Sequence, residues 1–151
     1  MYQPFETYRG FVYPWCMDHV GHMNVQSYTA RFDEATWQFT TRLGLSARTL
    51  GAQRRAMVAA DNRTQYRREV VSGMVLHICT ELVSVGRSSV RFIHRMYDSE
   101  TGDELAICEL VGVHFDTDAR VAVPLPEHVG EYAKKLLLAD GEAAALMGKQ
   151  S

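Results

Sequence analysis

Chemically capable side chains crowd one short run, Pro14-Trp15-Cys16-Met17-Asp18-His19-Val20-Gly21-His22-Met23-Asn24, with Tyr28 one helical turn further on. Asp18 has the carboxylate needed either to attack an acyl carbon or to take a proton from water. Gly21 lets backbone approach a ligand closely, and Asn24 is a residue type that caps helices. A helix beginning there would offer unpaired N–H groups and the positive end of its dipole to a developing oxyanion. Plainer roles exist for each residue. An Asp in a loop commonly closes a turn, His22 can orient Asp18 or the helix start, Asn24 can be only a cap, and Tyr28 can belong to the core.

Cys16, His19 and His22 form a Cys-x-x-His-x-x-His run that invites a metal reading. Structural zinc sites draw ligand pairs from separated segments, and the sequence has no second pair, so no metal is assigned. Cys16 as a nucleophile lacks its own base and orienting residue, and it fits better as a small apolar loop residue. Arg87, Ser88 and Ser89 follow Gly86 as a basic, hydroxyl-bearing turn suited to phosphate, although an ordinary polar hairpin has the same composition. Arg54, Arg55, Arg67, Arg68, Arg91 and Arg95 are further cations, expected mostly on solvated faces, as is the carboxylate of Glu34.

The elements around this run follow from periodicity. Phe5 to Tyr13 is rich in aromatic and β-branched residues and is interrupted by Pro14, which predicts a strand running into a loop. After Asn24, apolar residues recur at Tyr28, Phe32, Ala35, Phe39 and Leu43, and Gly44 follows, which predicts one long amphipathic helix with a glycine stop. Four extended segments are predicted at about Met57 to Val71, Met74 to Val85, Ser88 to Tyr97 and Glu104 to Phe115. Turn signals at Ser72-Gly73, Gly86-Arg87 and Ser99 to Asp103 imply that neighbouring segments pair as antiparallel hairpins or a meander. The last segment is apolar on both faces, as in a central strand or a subunit interface. Pro126, Val129, Ala133, Leu136 and Leu137 predict a short C-terminal helix, and the Ala-rich segment 141–151 is expected to be a loosely held tail after a single domain over 1–140.

Composition narrows the partners. At 151 residues, 46% hydrophobic and 23% charged, the chain fits one compact α+β domain, a curved antiparallel sheet of about five strands around a central helix. A net charge of −2 gives no reason to expect nucleic acid. With no apolar stretch long enough to span a bilayer and no leader pattern, a cytoplasmic protein without a membrane partner is expected. Three cysteines without paired spacing suit free thiols in a reducing compartment.

An Asp, two residues, Gly-His, an apolar residue and Asn at a strand-to-helix junction resembles the hotdog thioesterases of the 4-hydroxybenzoyl-CoA thioesterase superfamily. Arg67-Arg68-Glu69-Val70-Val71-Ser72-Gly73 and Gly86-Arg87-Ser88-Ser89 fall where that family begins its third and fourth strands. The likeness covers roughly residues 5 to 125. It departs from one subgroup, which has a second His seven residues after the Asp; here that position is Val25. The resemblance implies hydrolysis of an acyl-CoA, with Asp18, Gly21, His22 and Asn24 at the catalytic centre and Tyr28, Arg87, Ser88 and Ser89 toward substrate. Coenzyme A is then part of the substrate and no separate cofactor is needed. A thiolate also leaves readily, since a thiol titrates near ~8.5, so a dedicated general acid is optional. Edge-to-edge homodimers, or tetramers built from them, are implied as well. A non-catalytic acyl-CoA-binding protein and a hydratase or dehydratase of the same fold remain alternatives at this point.

Overall fold

A computed structural model describes residues 4–148. Strand β1 (Phe5–Phe11) leads through a 3-10 turn at Pro14–Cys16 into helix α1 (Val25–Arg42) and a short helix α2 (Ala47–Ala52). Strands β2 (Arg55–Tyr66), β3 (Val75–Val85), β4 (Ser89–Asp98), β5 (Glu104–Asp116) and the two-residue β6 (Val121–Ala122) follow, and helix α3 (Glu127–Gly148) closes the described chain. Every strand pairing is antiparallel, in the order β1-β3-β4-β5-β2, with β6 on β5. This is the expected helix against a curled antiparallel sheet of five long strands.

The expected stripe is the face that α1 buries. Tyr28, Phe32, Ala35 and Phe39 are all buried along it, with Leu43 just beyond its end. Asn24 Oδ1 accepts from the Ser27 amide at 2.8 Å, fixing the start of the helix. At the other end Gly44 takes φ +90°, and the Leu45 and Gly44 amides reach back to the Thr40 and Thr41 carbonyls, the paired bonds of a Schellman stop. Two apolar clusters lie between α1 and the sheet. One gathers Tyr28, Phe32 and Ala35 with Leu76, Ile78 and Met96; the other gathers Phe39 and Leu43 with Leu82, Phe92 and the α3 residues Val129 and Ala133.

A buried polar chain crosses this core. Thr36 Oγ1 donates to the Phe32 carbonyl at 2.9 Å and lies 2.8 Å from His94 Nε2, while His94 Nδ1 lies 2.6 Å from Thr80 Oγ1, itself 2.7 Å from Thr7 Oγ1. Since the Thr36 proton goes to Phe32, Nε2 of His94 is the donor to Thr36 and Nδ1 accepts from Thr80. Burial pushes the His94 pKa down to about 3, so the ring is neutral.

Three sequence expectations need correction. The segment after Arg55 ends at Tyr66 rather than Val71, and β2 does not form a hairpin with β3; its partner is β5. Residues 67–74 instead cross the end of the sheet. The Arg67 and Arg68 amides bond the Leu105 carbonyl, the Met23 amide bonds the Val70 carbonyl, and the Gly73 amide bonds that of Val12. Ser72-Gly73 does turn the chain, but a turn signal carries no information about which strand the chain then joins. The polar connection after Gly44 contains α2, capped by Ser46 and anchored by buried Leu50. Finally, the C-terminal helix expected to be short runs as α3 over 22 residues, from Glu127 to Gly148. Residues 149–151 lie outside the described chain.

Candidate active site

The loop between β1 and α1 is a miniature hairpin. Met17 and Met23 bridge antiparallel, the Asp18 amide donates to the His22 carbonyl at 3.0 Å, and the Gly21 amide donates to the Asp18 carbonyl at 3.1 Å. Asp18 Oδ1 accepts from the Val20 amide at 2.9 Å, which fixes the carboxylate, and its other oxygen has no partner among the described residues. Gly21 sits at φ +87° with nothing within 4 Å of the position its Cβ would take. Within the chain its left-handed backbone, rather than a close approach, is what calls for glycine.

What holds this loop against the helix is Arg31, a residue not singled out from sequence because a lone Arg on a helix ordinarily reaches solvent. Here it is buried. Its Nη1 donates to the Ser27 carbonyl at 3.1 Å, and its Nη2 reaches the Phe11 carbonyl at 3.3 Å and Cys16 Sγ at 3.6 Å. Burial by itself would raise the Cys16 thiol pKa, but hydrogen bonds from Arg31 and Ser27 outweigh it and hold the thiol below its usual value. The Cys16 carbonyl accepts from the Asn24 amide at 2.9 Å, so the end of β1, the loop and the helix start form one braced unit.

His22 meets Glu69, a residue that sequence placed only in the family-like stretch. Its Nε2 lies 3.1 Å from Glu69 Oε2. The two residues line an open groove of about 280 Å³ together with Tyr28, Tyr66, Arg67 and Arg68. Tyr28 and Tyr66 meet edge to face, with centroids 4.9 Å apart. Tyr28 is both core and lining: it is 5% exposed, and burial pushes its pKa up to about 12. Asn24 acts as the helix cap, which leaves the Val25 and Gln26 amides at the open first turn of α1.

Arg87, Ser88 and Ser89 lie elsewhere. Ser88 accepts from the His114 amide at one end of β5, whereas the groove segment bonds Leu105 at the other. The anchors are nine residue steps apart, about 30 Å along the strand. Within one chain the turn and the Asp18 loop are therefore apart. Cys16 packs into the core and His22 faces Glu69; among the described residues no three His, Cys, Asp or Glu side chains gather to hold a metal ion. Cys16, Cys79 and Cys108 are free thiols, and no helix of the described chain is long and apolar enough to cross a membrane.

Comparison with known proteins places this architecture. The family model described as Thioesterase-like superfamily matches residues 12–132. A betainyl-CoA thioesterase of Pseudomonas aeruginosa is 25% identical over 129 residues, covering 85% of this chain and 81% of that protein. The L-carnitine dehydrogenase/betainyl-CoA thioesterase of Rhizobium meliloti is 25% identical over 127 residues, which cover 84% of this chain and 25% of that longer protein. Among solved structures, a Staphylococcus aureus protein in complex with CoA superposes with TM-score 0.79 at 15% identity, over 89% of this chain and 85% of that one. A 1,4-dihydroxy-2-naphthoyl-CoA thioesterase from Synechocystis does so with TM-score 0.72 at 16% identity, over 80% and 89%. The chain belongs to the thioesterase-like superfamily and is a hotdog-fold thioester hydrolase.

Proposed function

We propose that the protein hydrolyses an acyl-CoA, with Asp18 as nucleophile or general base and the first turn of α1 as donor to the thioester oxygen. The observation that carries this is the Asp18 carboxylate, pinned through one oxygen by the Val20 amide and open at the other, in a loop braced directly onto the start of α1. As a nucleophile, Asp18 adds to the carbonyl carbon, the carbon–sulfur bond breaks, and CoA leaves as a thiolate; water then cleaves the acyl-aspartyl anhydride. As a base, it takes a proton from water as the hydroxide adds to the same carbon. In either case negative charge grows on the carbonyl oxygen, and the Val25 and Gln26 amides and the helix dipole are oriented to meet it. His22, held by Glu69, orders the groove through which the substrate reaches that point.

The active unit in this reading is a homodimer. β2 is a twelve-residue edge strand whose central positions, Val58 to Arg63, are all exposed. Such an edge invites pairing with a second copy. Antiparallel pairing of two β2 strands brings the Arg55 end of one to the Tyr66 end of the other. The phosphate-suited turn of one subunit then lies toward the catalytic loop of the other, which removes the separation found within a chain. The names of the two curated relatives make betainyl the first acyl group to try.

A panel of acyl-CoAs followed by thiol release tests the activity. Asp18→Asn lowers kcat by orders of magnitude with KM little changed. Near wild-type turnover in that variant would take Asp18 out of the mechanism.

A further inference from the structure

Halfway along α1, on the side toward β2, lies a second and smaller pocket of about 140 Å³. Trp37, Met57, Phe92 and Leu110 supply apolar lining, and Asp33 is the one charged residue among those around it. Gly112 keeps the space open from within β5: a Cβ there would sit 3.1 Å from Met57 Cε and 3.8 Å from Phe92 Cε1. Glycine inside a strand commonly marks such a close approach.

The polar groups of the lining are unequal. Thr36 is committed to the Phe32 carbonyl and His94, and Thr40 Oγ1 points to the Trp37 carbonyl at 3.4 Å. Asp33 has no hydrogen-bond or ion-pair partner among the described residues. It stands one helical turn before Trp37, on the same face of α1, so an exposed carboxylate and a 39% exposed indole flank the rim of one small, mostly apolar pocket. The carboxylate at the rim repels anions, and a neutral alkyl group leaves it without a partner. It suits a cation with an apolar surface.

We propose that this pocket binds a small organic cation of the quaternary-ammonium class, with Asp33 as counter-ion and the Trp37 ring as its cation–π face. A cavity of about 150 Å³ takes a benzene-sized ligand, so a trimethylammonium group fits the space. Asp33 lies eight residues into α1, about 12 Å from its start, too far to serve a short acyl group held at that same N-terminus. In the β2-paired dimer the pocket opens toward the other subunit's catalytic loop, where it reads the acyl end of the substrate. That last step rests on the thioesterase and dimer readings; the cation pocket itself does not.

In a Trp15→Phe protein, Trp37 is the one remaining tryptophan. Titrating it with choline should give a saturable fluorescence change that Asp33→Asn weakens at least ten-fold and that choline's uncharged carbon isostere does not reproduce. No saturable change, equal response to the isostere, or an unaffected Asp33→Asn variant overturns the pocket. Hydrolysis of betainyl-CoA against its own uncharged isostere then addresses the substrate. The wild-type protein should prefer the charged acyl group at least ten-fold in kcat/KM, and Asp33→Asn should erase the preference. Thioester hydrolysis without that preference overturns the substrate role. If no thioester is hydrolysed at all, the thioesterase reading fails, and the choline titration still decides the pocket.

Discussion

His22 Nε2 lies 3.1 Å from Glu69 Oε2, joining the loop that follows β1 to the segment that follows β2. The side chains are 36% and 75% exposed, so the contact is worth about 1 kcal/mol or less to stability. Its effect is on orientation. Glu69→Ala should leave the melting temperature nearly unchanged while lowering kcat/KM several-fold, and Glu69→Gln, which can still accept from the ring, should recover part of that loss. Thermal unfolding and steady-state rates measured together check this; wild-type kinetics in Glu69→Ala would remove the pair from function.

His94 gives the fold a pH dependence of known sign. Its pKa drops from 6.5 to about 3 on folding, so between those values the unfolded chain holds the extra proton. Stability from this group is complete above pH 6.5 and is lost as pH falls, at up to about 1.4 kcal/mol per pH unit. From pH 7 to pH 5 urea denaturation should show a loss of about 2 kcal/mol from this residue, and His94→Gln should lack that component. An unchanged pH profile in the variant would assign the loss to other groups.

Thr80 is the donor that His94 Nδ1 depends on and the acceptor for Thr7. Thr80→Val keeps the volume and β-branch but strands His94 Nδ1 inside the core, while Thr7 Oγ1 keeps the Ile78 carbonyl at 3.3 Å. The expected cost is about 1–3 kcal/mol by denaturant titration, because a buried polar group left unmatched loses its full hydration. A variant as stable as wild type would mean that water replaces the hydroxyl.

Arg87 is exposed at the turn between β3 and β4. If it meets a CoA phosphate, Arg87→Ala raises KM for a full acyl-CoA and leaves a truncated thioester without the nucleotide unaffected. Equal changes for both substrates would place Arg87 away from the nucleotide.

Helix α1, its Asn24 cap and its Gly44 stop were legible because each is set by neighbours within a few residues, as were the β3-β4 and β4-β5 hairpins. The pairing of β2 with β5 was not, since two strands equally rich in apolar residues do not announce which edge they choose. The Asp18 run was visible as a motif, and it folds into a turn beside the start of α1. Glu69 and Arg31 were hidden for a different reason. Their roles come from partners thirty or more residues away in one case and from burial in the other, neither of which periodicity records.

The strand order also sets a timetable for synthesis. Apart from Ala60 at a bulge, each β2 residue faces a partner forty to sixty-one positions further along, from Tyr66 with Ala106 to Arg55 with Asp116. A ribosome releases β2 long before β5 exists, so the strand waits without its sheet partner while the β3-β4-β5 meander assembles from local contacts. Until residue 116 has emerged, β2 is open to any other unpaired strand, because its capture by β5 must wait for the last long strand to be made. Translation pauses placed after residue 66 should therefore lower the soluble yield more than pauses placed after residue 116.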